Sequence, residues 1–371
     1  MESETKLAQL RALAAQRGAA AILLRQVANF AWVTGGGRSY IPVTAELGAA
    51  CVVVTADRTV VLANNIESDR LREEEMVGLN WETVSFPWWQ DSGFVTCISD
   101  LVPQGTILSD WAYPGSVNIS SDIVDLRTRL GAEELERARL LGHDTANALE
   151  DVVVSLTPGG TEYEVAGDVA RACMYRGIQP VVVLVAADDR VFARRHPLPT
   201  GNRIRQYVLV ALCGMRGGLV VSVTRLWHRK PATADIQRRW RAAAQVDAEM
   251  IAATWAGATS AEVLKVAQAE YAAAGFPDEW QNHHQGGLAG YASRESRATP
   301  TSTQPFVLGQ MVAWNPSVAG AKSEDTILVP KQGQTPEIIT DTGNWPTQSF
   351  ETKSGMIVER PTILEREAPF R

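Results

Sequence analysis

The sequence predicts two domains, an α/β N-terminal half and an α+β C-terminal half. Three observations carry that expectation. A chain of 371 residues exceeds what a single ordinary core takes. Up to about residue 115, short strand-like runs alternate with helical stretches, as in a central sheet covered by helices. Beyond residue 127 the pattern changes to long amphipathic helices flanking a few apolar strands. The boundary is therefore placed between residues 127 and 128.

Taken in order, Leu7, Leu10 and Leu13 recur at helical spacing, with Gly18 as a stop. Strands are predicted at 20–24, at 29–35 (NFAWVTG), at 49–56 and at 59–64, separated by turn residues such as Asp57 and Asn64-Asn65. GAEELERARLLGHDTANALEDVVVSL reads as a long helix ending at Pro158-Gly159-Gly160. Thr161 and Glu164 form a capping box for a second helix through about Tyr175. Strands at 180–187, 207–215 and 219–227 precede helices at 233–256 and 260–274, the last with Ser260 as N-cap. FVLGQMVAWNPSV and EDTILVP complete the strand inventory.

Composition excludes several classes. A net charge of −7 argues against a nucleic-acid or anionic-membrane surface. No apolar run approaches the roughly 20 residues of a membrane span, and MESETKLAQLRALAAQRG has no hydrophobic leader core. Cys51, Cys97, Cys173 and Cys213 form no CxxC pair, so neither a disulfide framework nor a zinc knuckle is expected. No GxGxxG, P-loop, HExxH or GxSxG motif is present. A cytoplasmic, enzyme-sized protein is the expectation.

Three C-terminal segments carry a resemblance: the strand pair ending SVTR, HHQGG at 283–287, and SEDTILV at 323–329. Together they resemble the M24 "pita-bread" family of creatinase, prolidase, aminopeptidase P and methionine aminopeptidase. The whole chain, including NFAWVTGG, resembles its two-domain creatinase and prolidase branch. In metal-dependent members, two aspartates, one histidine and two glutamates hold two divalent ions. Carried over, these positions fall on Ala211, Ser222, His284 (or His283 in a shifted register), Asn315 and Glu324. A dinuclear site needs several carboxylates to balance about four positive charges. From Arg190 to Ala234 the chain has no acidic residue and nine arginines and lysines. No catalytic metal and no cofactor are expected.

RRHPLPTGNRI at 194–204 resembles the segment around the catalytic histidine of creatinase, the metal-free member, and places His196 in that role. A histidine exchanges protons near neutrality. Creatinase grips a guanidinium with glutamates, whereas the neighbours here are Ser222, Thr224 and Arg225. The basic character points instead to a carboxylate or phosphate, with Arg195, Arg203 and Arg294 as clamps. His283 and His284, read as an extended pair, point to opposite faces, with His284 inward. Glu324 orients His284 or a water, Asn315 binds a neutral polar group, and Tyr291 offers a hydroxyl. The resemblance also implies a homodimer in which Trp88, Trp89 or Arg38 of the first domain closes the partner's site. The reading is a metal-independent hydrolase of a small polar, anionic C–N compound (amide, urea or amidine), using His196, His284 and Glu324. The alternatives are a metal-dependent Xaa-Pro aminopeptidase or prolidase, and a non-catalytic binding protein.

Overall fold

The computed structural model describes residues 2–368, which divide into two compact units between Glu134 and Leu135. That division falls inside the helix Ala132–Val154, where nothing in the composition marks it. The change in sequence character near residue 127 instead coincides with the end of the helix Ser120–Arg127.

The first unit opens with the helix Glu2–Gln16, which buries Leu7 and Leu10, and strand β1 (Ala19–Gln26). NFAWVTG is not a strand but most of a helix, Val27–Thr34. Phe30, Ala31, Trp32 and Val33 are all buried, so the run is apolar all round and shows no period from which to choose helix over strand. Gly35 (φ 77°) ends the helix. The Gly36 N–H donates to the Ala31 carbonyl and the Gly35 N–H to that of Trp32, a Schellman closure that a left-handed glycine permits. Strands β2 (Leu47–Thr55), β3 (Thr59–Asn64), β4 (Glu82–Phe86), β5 (Thr106–Ser109) and β6 (Val117–Asn118) form one sheet in the order β4-β3-β2-β1-β5-β6. Strands β1, β2 and β3 pair antiparallel, while β4, β5 and β6 join in parallel.

In the second unit Thr161 caps the helix Glu162–Tyr175 with the expected capping box. Strands β7 (Gln179–Ala187), β8 (Tyr207–Arg216) and β9 (Leu219–His228) follow. The β8–β9 hairpin turns on Gly217 and Gly218 alone, at φ 57° and 79°, a two-residue turn that only residues tolerant of positive φ make readily. The helices Ala234–Ala252 and Ser260–Ala273 come next. The second is capped by Thr259, not Ser260: its hydroxyl accepts from the Glu262 N–H (3.2 Å) while the Glu262 carboxylate accepts from the Thr259 N–H (2.8 Å). A glutamate three residues after Thr259 completes the reciprocal box, which Ser260 lacks.

The remaining strands are β10 (Gly286–Ala289), β11 (Ser296–Arg297), β12 (Met311–Trp314), β13 (Ser317–Val318), β14 (Ala321–Lys322), β15 (Asp325–Leu328), β16 (Glu337–Ile338), β17 (Thr347–Glu351), β18 (Ile357–Pro361) and β19 (Ile363–Glu365). They build a five-stranded sheet, β11-β10-β12-β15-β16, and complete a four-stranded one, β19-β9-β8-β7. Between them, Thr326 Oγ1 both accepts from the Ser222 N–H and donates to the Ser222 carbonyl, and the Thr224 N–H donates to the Glu324 carbonyl. Trp240, Val246, Met250 and Tyr271 of the two helices pack with Leu209, Val312 and Trp314 of the sheets in one core. Among the described residues no helix is long and apolar enough to cross a membrane.

The stretch 323–325, which leads into β15, separates two environments. Ser323 and Asp325 point one way and Glu324 the other. Asp325 meets Arg225 (3.1 Å) and Arg360 (2.6 Å), and Arg360 also holds Asp247 (2.6 Å). All four are buried. Arg360→Met removes the cation shared by Asp247 and Asp325 and should destabilise the protein by about 3–5 kcal/mol. A fall in the urea midpoint of the full chain measures it, and an unchanged midpoint refutes the assignment.

Candidate active site

Strands β7 and β8, the end of β14 and the segments between strands line a cavity of about 250 Å³. His196, His284, Arg294, Asn315, Lys322 and Glu324 supply its polar wall, and Val182, Leu184, Ala211 and Leu212 its apolar one. Five residues expected at the site (His196, His284, Arg294, Asn315 and Glu324) line this cavity.

His196 lies beyond the short helical turn Asp189–Ala193 on a segment fixed from two sides. The fully buried Glu162 accepts from the Thr200 N–H (2.9 Å), the Thr200 hydroxyl (2.7 Å) and the Ala187 N–H (2.8 Å), and pairs with Arg190. Asp188 is held at φ 54°, and its carboxylate accepts from the N–H groups of Arg205, Gln206 and Tyr207. Three backbone donors offset a conformation uncommon outside glycine. The Val185 N–H donates to the Pro197 carbonyl (3.0 Å), which ties the residue after His196 to β7.

His283 and His284 do not alternate. β10 starts only at Gly286, so the pair lies on irregular backbone, and its rings stack with centroids 4.5 Å apart. Both rings therefore meet His196. His196 Nε2 is 3.1 Å from His283 Nε2, and the His196 and His284 ring centroids are 5.7 Å apart. Gly286 and Gly287 serve the strands rather than a ligand, because a Cβ on either would lie 2.1 Å from a backbone oxygen of Ala313 or Ser296.

Glu324 is buried and saturated. Its carboxylate accepts from Lys322 Nζ (2.6 Å), Arg294 Nη2 (3.0 Å) and the Thr224 hydroxyl (2.6 Å). Burial works to raise its pKa, but the two cations outweigh that and hold it at about 2. Arg294 Nη1 also donates to Ser222 Oγ (3.0 Å), which lies 3.2 Å from Cys213 Sγ. Arg294 Nε and Asn315 Oδ1 are buried with no hydrogen-bond partner among the described residues. Burial, then the Lys322 charge, lowers the pKa of all three histidines except that Arg294 follows burial at His284; His283 reaches about 2 and His284 about 4.

The other expected contacts are used elsewhere. Arg195 pairs with Glu279 and donates to Ser317, and Arg203 donates to the Gly159 carbonyl (2.6 Å). Neither lines the cavity, because each guanidinium is committed to holding neighbouring backbone or loop. Tyr291 is buried and its N–H donates to Glu295, outside the lining. Trp88 belongs to the first unit, 59% exposed and edge-on to Trp89. Lys322 and Cys213 are the lining residues whose importance sequence reading understated. Lys322 ends β14, two residues before Glu324, and that nearness in sequence is the available cue. Nothing in the sequence marks Glu162.

A profile of metallopeptidase family M24 matches residues 136–331. The chain belongs to that family. No curated protein matches the sequence. Among solved structures it is similar to the prolidase from Pyrococcus horikoshii (17% identity over 91% of this chain and 98% of that one, TM-score 0.78). The Xaa-Pro dipeptidase from Bacillus anthracis (16%, 91% and 98%, 0.75) and the dipeptidase PepE from Mycobacterium ulcerans (19%, 92% and 96%, 0.75) are comparable. These likenesses establish the two-domain pita-bread fold, and the family's class is hydrolysis of C–N bonds.

The family name implies a metal, and the donor set does not fit a bridged pair of ions. Ala211 has no donor, Ser222 Oγ is taken by Arg294 and Asn315 offers an amide. Glu324 already accepts from two cations and a hydroxyl, and is one carboxylate where a bridged pair needs several. Hard divalent ions require several free oxygen ligands.

The buried histidine has a measurable consequence. Folded His283 stays neutral to about pH 2, whereas the unfolded chain protonates it below about 6.5. Stability present above that value is thus lost as pH falls, by up to about 1.4 kcal/mol per pH unit. In metal-free buffer, His283→Gln should flatten the stability slope between about pH 6 and 4. An unaltered slope contradicts burial of a neutral ring.

Proposed function

We propose that the chain hydrolyses the amide C–N bond of a dipeptide-sized substrate that carries a carboxylate, with His196 as the acid–base group and no bridged metal pair. The substrate class follows the prolidase-like alternative, which family membership and the structural neighbours favour over the creatinase-like one. The cavity carries the chemical part of the reading: a neutral imidazole faces two cations already oriented by one carboxylate.

The apolar wall of Val182, Leu184 and Leu212 suits an aliphatic side chain or ring. Arg294 Nε, the unpartnered donor, suits a substrate oxygen, and Asn315 Oδ1 suits a substrate N–H. His196, with one nitrogen engaged by His283, uses the other to take a proton from the attacking water. The hydroxide adds to the amide carbon, and the oxyanion forms beside Lys322 and Arg294. His196 then returns the proton to the leaving nitrogen. The four free cysteines support a reducing, cytoplasmic setting.

Two measurements test this. Turnover of a dipeptide and N-acyl amino acid panel should survive exhaustive chelation and fall about 10²–10⁴-fold in His196→Ala, with an acid limb below the ordinary histidine value. Two tightly held ions per chain, or loss of turnover with chelator, returns a metal-dependent peptidase. Lys322→Gln should lower kcat by about 10²–10³-fold with a smaller change in KM. A change confined to KM would reduce Lys322 to substrate binding.

A further inference from the structure

The three histidines form a second kind of site in the same cavity. Among the described residues they are the one cluster of histidine, cysteine and carboxylate groups with ligand atoms close enough for an ion. The ligating nitrogens all lie within 4.8 Å of one another. Tetrahedral coordination at a Zn–N length near 2.0–2.1 Å places nitrogens about 3.3 Å apart, and His196 Nε2 and His283 Nε2 already stand at 3.1 Å. His284 stacks on His283, so a rotation of the exposed His196 ring and a small shift of His284 bring the third nitrogen in. His283 Nδ1 is buried with no partner among the described residues, which leaves that ring without a second tie to resist the turn.

We infer that His196, His283 and His284 bind a single borderline transition-metal dication, with Zn²⁺ or Co²⁺ as the test ions, at a site separate from the carboxylate positions of the metal-dependent relatives. Imidazole prefers Zn²⁺, Co²⁺, Ni²⁺ and Cu²⁺, whereas Mg²⁺ and Mn²⁺ prefer oxygen. The neighbouring charges sharpen that preference. Lys322 and Arg294 against Glu324 leave one net positive charge, so a cation held by electrostatics alone is repelled. Three nitrogen ligands leave a fourth position open to water or a substrate oxygen. Under the acid–base reading the ion takes the lone pairs that His196 needs, so occupancy inhibits hydrolysis. That consequence rests on the proposed function; the binding does not.

Zn²⁺ is titrated into metal-free full-length protein against a competing chromophoric chelator, and Co²⁺ is followed by its visible d–d absorption. One ion per chain is expected, with affinity at least about tenfold weaker in His196→Ala and in His283→Ala. His143→Ala, on the exposed face of a helix, should bind as the parent does, and excess Mg²⁺ should not compete. His196 is exposed, so its variant folds even if His283→Ala does not. No bound Zn²⁺, or equal binding by the His196 variant, overturns the site, as does binding that is lost in Cys213→Ser but kept in His196→Ala. If Zn²⁺ binds and activates turnover, the site stands and the acid–base reading falls. If Zn²⁺ does not bind while turnover persists, only the site falls.

Discussion

A buried carboxylate between two cations organises the second unit. Glu324 could not be ionised at its depth without Lys322, Arg294 and Thr224, because desolvation of a lone carboxylate would leave it protonated. With them it is a fixed charge that aims a guanidinium and an ammonium at the cavity. One residue along, Asp325 performs the same service on the other side of the strand for Arg225 and Arg360. A shift of β15 by one residue would exchange the two environments and strand both sets of charges. Register, core and cavity polarity therefore depend on the same three-residue stretch.

The segment that carries His196 is built by a different device. His196 is on no strand, and its position comes from Glu162 and Asp188, two carboxylates that spend their acceptor capacity on backbone N–H groups and arginines. Fixing a loop by charge-assisted hydrogen bonds costs less order elsewhere than fixing it by packing, since the loop's prolines and exposed leucine bring little apolar area. The residue presented on that loop stays solvent-accessible on one side and touches His283 on the other. Such half-burial suits a group that must exchange protons with water and still be oriented.

Much of this was legible in the sequence, and the failures have physical causes. The alternation of helices and strands and the capping box at Thr161 are local signals that the sequence carries directly. His196, His284, Arg294, Asn315 and Glu324 share one cavity, as the motif segments that contain them lead one to expect. NFAWVTG failed because total burial erases periodicity. The histidine pair failed because its backbone is irregular, so the rule of alternating faces did not apply. Arg195 and Arg203 show the third limit: their partners, Glu279 and the Gly159 carbonyl, are distant in sequence, and charge alone cannot tell a clamp from a tie.

The relation between family and site then becomes a question of where positive charge comes from. A pita-bread site must stabilise a developing oxyanion, and bridged ions do so where carboxylates hold them. Here the positions that the resemblance assigns to carboxylates carry Ala211, Ser222 and Asn315, all uncharged. With the counter-charges gone, two ions would bring about four uncompensated positive charges into a buried cavity. Lys322 and Arg294 bring two, and Glu324 cancels one. The remaining positive charge is enough to attract a carboxylate or an oxyanion and too little to need further acids. The uncharged positions and the paired cations thus fit the proposed reading together: the buried cavity keeps one net positive charge without the several acids that two ions would need.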